Sequence, residues 1–299
     1  MSSDLRNPTW AFALPVLAVM IWSLNIVVTR YAADLISPAS ISFYRWLIAF
    51  LILTPFMLSK VWQQRQLVRQ HWLQLAVLSA FGMVLYQGLA YTAAHYTTAT
   101  NMGLINAFIP IFTILVSFFI LKDIPNYFAI IGGILSFCGL MYVMAQGDLT
   151  ALWQNGAHWG DLLMVIAVFF YAFYGVFLKK WQLKIPLLIS LYIQIGFALI
   201  YHLPFIAWLG LDSLNPANLS SVLYAGIFPS LIAPLVWMLA VQQIGPNRTS
   251  IFMNLMPVFT AIIASIWLAE SWTIYHSMGG AIILLGILLA QYQPKIRLA

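Results

Sequence analysis

Ten long apolar stretches, with nearly all the charge confined between them, constrain this chain more than any other feature. They run near Ala11–Val28, Ser40–Leu58, Leu73–Tyr91, Ala99–Leu121, Tyr127–Met144, Trp159–Leu178, Ile185–Leu209, Leu219–Val241, Ser250–Leu268 and Tyr275–Tyr292. A helix needs about 20 apolar residues to cross a bilayer, so ten crossings use up almost all of the 299 residues. No stretch alternates in the manner of a barrel strand, and helices satisfy their own backbone hydrogen bonds in lipid. The sequence therefore predicts an all-α integral membrane protein with ten transmembrane helices. Hydrophobic residues make up 63% and charged ones 7%, against about half and a quarter in soluble proteins, which excludes a soluble enzyme. The one cysteine, Cys138, excludes an internal disulfide framework or a Cys-based zinc site. Its apolar neighbours suggest a packing residue. Arg6 precedes the first stretch as in a signal peptide, but that run is too long and carries Trp22 and Asn25. It reads as a retained first helix.

Charge sets the orientation. With a cytoplasmic N-terminus, Arg6, Lys60, Arg65, Arg69, Lys122, Lys179, Lys180, Lys184, Arg248, Lys295 and Arg297 all face inward, and only Arg30 faces out. This is a strong positive-inside bias, and it places both termini in the cytoplasm. The net charge of +6 then needs no nucleic-acid partner; basic helix ends suit anionic lipid. Trp62, Trp72, Trp153, Trp159 and Trp181 near those ends suit interfacial belts.

The stretches also repeat. Placing Pro110 on Pro257 sets an offset of 147 (257 − 110). The same offset aligns Phe112 with Phe259, Thr113 with Thr260, Asp123 with Glu270, and Gly132, Gly133 and Gly139 with Gly279, Gly280 and Gly286. Trp22 falls against Tyr171 at an offset of 149 (171 − 22). Two five-helix units are expected, residues 1–146 and 159–299, joined by an extracytoplasmic linker at 147–158. Five crossings is odd, so the second unit enters from the opposite face. Such inverted repeats favour alternating access around a site near the midplane.

Several motifs occur in order. The first helix reads Trp22-Ser-Leu-Asn25-Ile-Val-Val-Thr-Arg30, and the second has Pro38 and then Tyr44-Arg45. Each half ends with a small-residue helix start, a proline, an acid at a helix end and a glycine-rich last helix. The sixth helix opens Trp159-Gly160-Asp161 and continues to Tyr171-Ala-Phe-Tyr174. Over essentially its whole length the chain resembles the EamA-type branch of the drug/metabolite transporter superfamily. Asp123 departs from the glutamate usual there. The resemblance implies ten helices, with helices 1–4 and 6–9 around a central cavity and helices 5 and 10 peripheral. It implies export of small metabolites such as amino acids, nucleosides or toxic compounds; the composition and short loops suggest a bacterial inner (plasma) membrane.

The candidate substrate-binding residues are Trp22, Asn25, Arg45, Gln87, Tyr91, Asn101, Asn106, Tyr171, Tyr174, Trp237 and Asn254. Trp22 and Asn25 share a helix face, as do Tyr171 and Tyr174, and Gln87 and Tyr91. An aromatic surface with a few amides suits a mixed polar and apolar ligand; packing between helices is the alternative for each. Asn101 and Asn106 near the start of helix 4, and Asn254 in helix 9, lie where free helix N–H groups can hold a carboxylate or be capped. Pro110 and Pro257 each free a carbonyl one turn earlier and are candidate hinges. Arg45 lies inside a span, where a centred arginine costs about 2.5–3.5 kcal/mol. It either binds an anion in the cavity or anchors structure by snorkelling or bonding carbonyls. Asp161 reads as a cap at the sixth helix start and is the best-placed carboxylate for proton coupling. Asp123 and Glu270 read as helix-end fixtures. His95, His158, His202 and His276 fall outside and His71 inside, as interfacial bonding groups. The glycines read as close-packing surfaces, holding helix 5 or 10 on its own repeat. Asn218-Leu-Ser220 matches a glycosylation sequon of no consequence in a bacterial chain.

No cofactor, metal or nucleic-acid motif appears. An intramembrane enzyme would need clustered catalytic groups, and a channel would need charged rings or filter carbonyls; neither pattern is present. The expected function is a secondary transporter, an exporter of amino acids or related compounds. An obligate exchanger of the same superfamily is the alternative, although polyanionic substrates would need more basic residues than Arg45. Two halves in one chain make a monomer sufficient, and a dimer is compatible.

Overall fold

The computed structural model describes residues 9–148, 150, 158–244 and 252–290. Every regular element among them is helical. Eight helices are long and apolar enough to cross a membrane: α1 (Trp10–Ala32), α2 (Pro38–Gln63), α3 (Trp72–Ala93), α4 (Ala99–Leu121), α5 (Tyr127–Met144), α6 (Trp159–Trp181), α7 (Leu187–Leu209) and α8 (Pro216–Ala240). Two shorter apolar helices follow, α9 (Met256–Trp267) and α10 (Ile274–Ala290). The sequence suggested a longer ninth helix, beginning at Ser250. Residues Phe252–Leu255 instead form a 3₁₀ turn leading into α9.

Large apolar side chains face outward: Trp208 is 88% exposed, Ile266 81% and Phe56 65%. The interior is where polar groups collect, including Arg45, Asn101, Asn106, Asp161, Gln194 and His202. An apolar outside around a partly polar inside is stable only with hydrocarbon around it, since soluble monomers do not expose such apolar area.

Neighbours in space are rarely neighbours in sequence. Helix α2 packs on α7, α3 on α6, α4 on both α6 and α9, and α1 on both α8 and α9. The closest pairing is α5 with α10. A methyl group at Gly132 would overlap the Gly286 carbonyl, and one at Gly139 would come within 2.8 Å of the Ile283 nitrogen. Ser136 donates to the Ile283 carbonyl at 2.9 Å across the same seam. These glycines thus join α5 to α10, and do not hold either helix on its own half as the sequence suggested. Helices in lipid gain little from apolar burial against each other, so close backbone approach and hydrogen bonds supply the attraction. Cys138 is exposed on the outer face of α5, and is not the packing residue its apolar neighbours suggested.

Two helices carry an interior π turn, Ala80–Leu85 in α3 and Phe228–Ile232 in α8. Such turns widen the helix and leave backbone carbonyls without their usual partners. Side chains fill that role here. Trp46 Nε1 donates to the Met83 carbonyl at 3.1 Å, and Trp22 Nε1 to the Pro229 carbonyl at 3.3 Å. Pro110 and Pro257 occupy first-turn positions in helical segments that restart after a break, Ile109–Leu121 within α4 and Met256–Trp267. Proline is tolerated there because its missing N–H would be unpaired anyway. Lys122 and Ala269, directly before Asp123 and Glu270, both take left-handed backbone conformations, with φ of 61° and 53°. These bends end α4 and α9 and aim the acids that follow.

Candidate functional site

Arg45 lies seven residues into α2 and is 3% exposed. Its Nε donates to Ser230 Oγ at 2.7 Å, and Nη1 donates to Gln87 Oε1 at 2.9 Å and Tyr91 Oη at 3.3 Å. Ser230 sits in the α8 π turn and donates to the Ala225 carbonyl at 2.7 Å. The guanidinium carbon stands 4.9 Å from the Trp46 ring centre. Every partner is neutral. The ion pairs Arg30–Asp34 and Lys179–Asp123 involve other groups.

Trp22 reaches the same π turn from α1. Its indole bonds the Pro229 carbonyl, and its ring lies 5.4 Å from that of Trp237 at a tilt of 55°. Arg45 and Trp22 therefore converge on adjacent residues, Ser230 and Pro229. Asn25, three residues after Trp22, has its Oδ1 buried without a donor. Tyr224 donates to the Ile21 carbonyl at 2.8 Å and packs beside Trp22 and Trp237.

A second aromatic group forms where α6 meets α3. The Tyr171 ring lies 4.7 Å from that of Tyr86 at a tilt of 47° and 5.5 Å from that of Tyr174, whose ring covers Gly82 in the α3 π turn. Tyr86 donates to Asn106 Oδ1 at 2.9 Å, and Asn106 Nδ2 donates to the Met102 carbonyl at 3.1 Å.

Asn101 belongs elsewhere, to a network at the end of the molecule that charge assigns to the outside. Its Nδ2 donates to both Asp161 oxygens at 3.3 Å, and Thr97 donates its hydroxyl to the same carboxylate. The Asn101 oxygen meets His276 Nε2 at 3.3 Å, while His276 Nδ1 accepts from the Thr273 N–H at 3.1 Å. These partners fix the proton on Nε2. Asp161 is fully buried and ties α6 to α4, and makes no side-chain cap at its own helix start. Glu270 accepts from the Ala99 and Thr100 N–H groups at 2.8 and 3.0 Å and from the Thr100 hydroxyl at 2.7 Å. The α4 N-terminus is therefore already held by the protein's own carboxylate and is not open to a substrate.

At the opposite end a cavity of about 300 Å³ is lined by Thr113, Ser117, Pro125 and Ala129, with Asp123 and Lys179 at its wall. Lys179 Nζ and Asp123 Oδ2 pair at 2.8 Å, their side chains 64% and 53% exposed.

Of the sequence candidates, Arg45, Gln87 and Tyr91 come together, Trp22 joins Trp237, and Tyr171 joins Tyr174. Asn101 and Asn106 serve separate networks. The side chain of Asn254, and residues 151–157 of the linker, lie outside the described residues. Ser230, Tyr86 and Tyr224 were missed. Ser230 had one signal, a hydroxyl directly after a proline in the middle of an apolar span. Asn218 is 1% exposed in a capping box with Asn215, which closes the sequon to modification.

The family model described as the EamA-like transporter family matches the chain twice, over residues 9–145 and 158–292. The chain belongs to that family: it is a multi-pass membrane transporter, and its substrate is a small molecule. Among similar proteins, an "uncharacterized transporter" of Archaeoglobus fulgidus is 28% identical, with 91% of this chain and 94% of that one aligned. The Bacillus subtilis "uncharacterized transporters" YetK and YyaM are 26% and 24% identical, with 93% and 87% of this chain aligned and 86% and 87% of theirs. A solved crystal structure superposes with a TM-score of 0.63 at 17% identity, covering 94% of this chain and 96% of that one.

Proposed function

We propose that this protein is a secondary transporter that exports amino acids or related metabolites across a bacterial inner membrane by alternating access. Ten spans form two inverted repeats with cytoplasmic termini. Several features support the repeat. The family model matches each half. The helix pairings exchange under it: α1 on α8 corresponds to α6 on α3, and α1 on α9 to α6 on α4. The π turns of α3 and α8 fall at corresponding positions, as do the left-handed residues Lys122 and Ala269. Pro110 and Pro257, each following a helix break, are the hinges.

The observation that carries the function is the convergence of Trp22 and Arg45 on one π turn of α8. Indole, guanidinium and the unpaired Asn25 Oδ1 together offer an apolar face, a cationic donor and a buried acceptor, which matches a zwitterion with an apolar side chain. The test uses inside-out membrane vesicles with and without the protein, offered amino acids, nucleosides and cationic dyes. Accumulation of a few amino acids, lost in Trp22→Ala, is the expected result. Accumulation of dyes or nucleosides alone would overturn the substrate assignment.

A further inference from the structure

Arg45 is buried with a full positive charge and an incomplete set of partners. A guanidinium carries five N–H donors. Ser230 takes one from Nε, and Gln87 and Tyr91 take two from Nη1. Nη2 has no acceptor among the described residues. A purely structural anchor in this setting would need its charge balanced, because burying an ion without a counter-ion is costly and neutral hydrogen bonds lower that cost without removing the charge. No carboxylate lies within 4.0 Å of it among the described residues. The neutral partners are themselves fixed. Ser230 is bound to the Ala225 carbonyl, and Trp46, beneath the guanidinium, is bound to the Met83 carbonyl. The group is held rigidly, with one nitrogen left over.

We propose that Arg45 Nη2 is the point that recognises the carboxylate of the transported molecule, making small monoanionic or zwitterionic carboxylates the substrate class. This rests on the transporter reading above. The charge count favours a carboxylate over a phosphate. One guanidinium cancels one negative charge, and Arg45 is the one basic residue well inside a span. A phosphate dianion would bring a second negative charge into a low-dielectric interior with nothing to meet it. Position supports a zwitterion. Asn25 lies seven residues before the end of α1 and Arg45 seven residues into α2, so both sit about 10 Å below the same face. The unpaired Asn25 Oδ1 would accept from an ammonium group. The aromatic groups around the site, Trp22 with Trp237 and Tyr86 with Tyr171, suit an aromatic or bulky apolar side chain.

The test compares matched probes on the purified full-length protein by titration calorimetry. Indole-3-acetate and indole-3-acetamide share a ring and differ only in charge. Expected is at least tenfold tighter binding of the carboxylate to the wild type. Arg45→Gln should abolish that preference, Arg45→Lys should keep part of it, and Arg30→Gln, at an exposed pair, should leave it unchanged. If Arg45→Gln does not fold, the wild-type ratio and Arg45→Lys still decide. Equal binding of the two probes, no binding of either, or a full preference in Arg45→Gln would overturn the proposal. So would tighter binding of indoxyl phosphate than of the carboxylate. Carboxylate-selective binding without accumulation in vesicles would leave the Arg45 assignment standing and sink the transport mode alone.

Discussion

The corners Lys122–Asp123 and Ala269–Glu270 share a backbone bend and differ in what their carboxylates hold. Glu270 takes two backbone N–H groups and a hydroxyl at the start of α4, next to the buried Asp161–Asn101–His276 network. Among the described residues, Asp123 meets only the Lys179 ammonium, at an exposed cavity wall. Two acids that follow the same bend thus seal one end of the molecule and only loosely tie the other. Bonds to buried donors are expensive to break, whereas an exposed ion pair contributes about 0–1 kcal/mol. The conformation is one in which the Asp123 end opens more cheaply than the Glu270 end, which is what the alternating access we propose requires of either end state.

The largest effect that would sharpen this contrast is expected from Glu270→Ala. It strands the Ala99 and Thr100 donors and should cost about 3 kcal/mol, read as a lower unfolding temperature in a fixed detergent. Asp123→Ala should cost under about 1 kcal/mol in the same assay; equal losses would break the comparison. Asn101→Leu comes next. It removes both donations to Asp161 and the partner of His276, for about 2 kcal/mol, and should combine non-additively with Thr97→Val because both act on one carboxylate. Lys179→Gln should change stability by less than about 1 kcal/mol, with any wild-type advantage vanishing at high salt. The smallest effect concerns Asp212, in the loop between α7 and α8. The Ser37 hydroxyl, and then its N–H, hold this carboxyl below the usual carboxylate range. A depressed value means a contribution that is present above the unfolded pKa of about 3.9 and lost as pH falls through the folded value. Unfolding temperature against pH should therefore fall less steeply below about pH 4 in Asp212→Asn than in the wild type.

Much of the fold was legible because lipid imposes simple rules. Apolar length marks the spans; loop charge, and the spacing of Pro110, Asp123 and Gly132 against Pro257, Glu270 and Gly279, carry the sidedness and the repeat that we propose. The α5–α10 seam was half legible. Its glycines announced close packing, but which helix approaches them is a tertiary fact. The π turns were hidden, because their loose carbonyls are held by Trp22 and Trp46, far away in the chain. The Arg45 cluster was readable in part. Gln87 and Tyr91 show a shared face by spacing, whereas Ser230 reaches Arg45 only because the turn at Phe228–Ile232 rotates it inward. Asn101 shows the limit of reading position alone. Its place near a helix start suggested ligand binding, and Asp161 and His276 occupy it.

The most direct test of alternating access is the reactivity of two single cysteines, Thr97→Cys at the sealed end and Ser117→Cys in the opposite cavity, on a Cys138→Ser background. Each is labelled with a membrane-impermeant maleimide from its own side, with and without a transported substrate. Ser117→Cys should react faster than Thr97→Cys at rest, and substrate should shift the two rates in opposite directions. Rates that rise together would indicate a continuous pore and contradict the alternating-access reading, as would rates that substrate leaves unchanged.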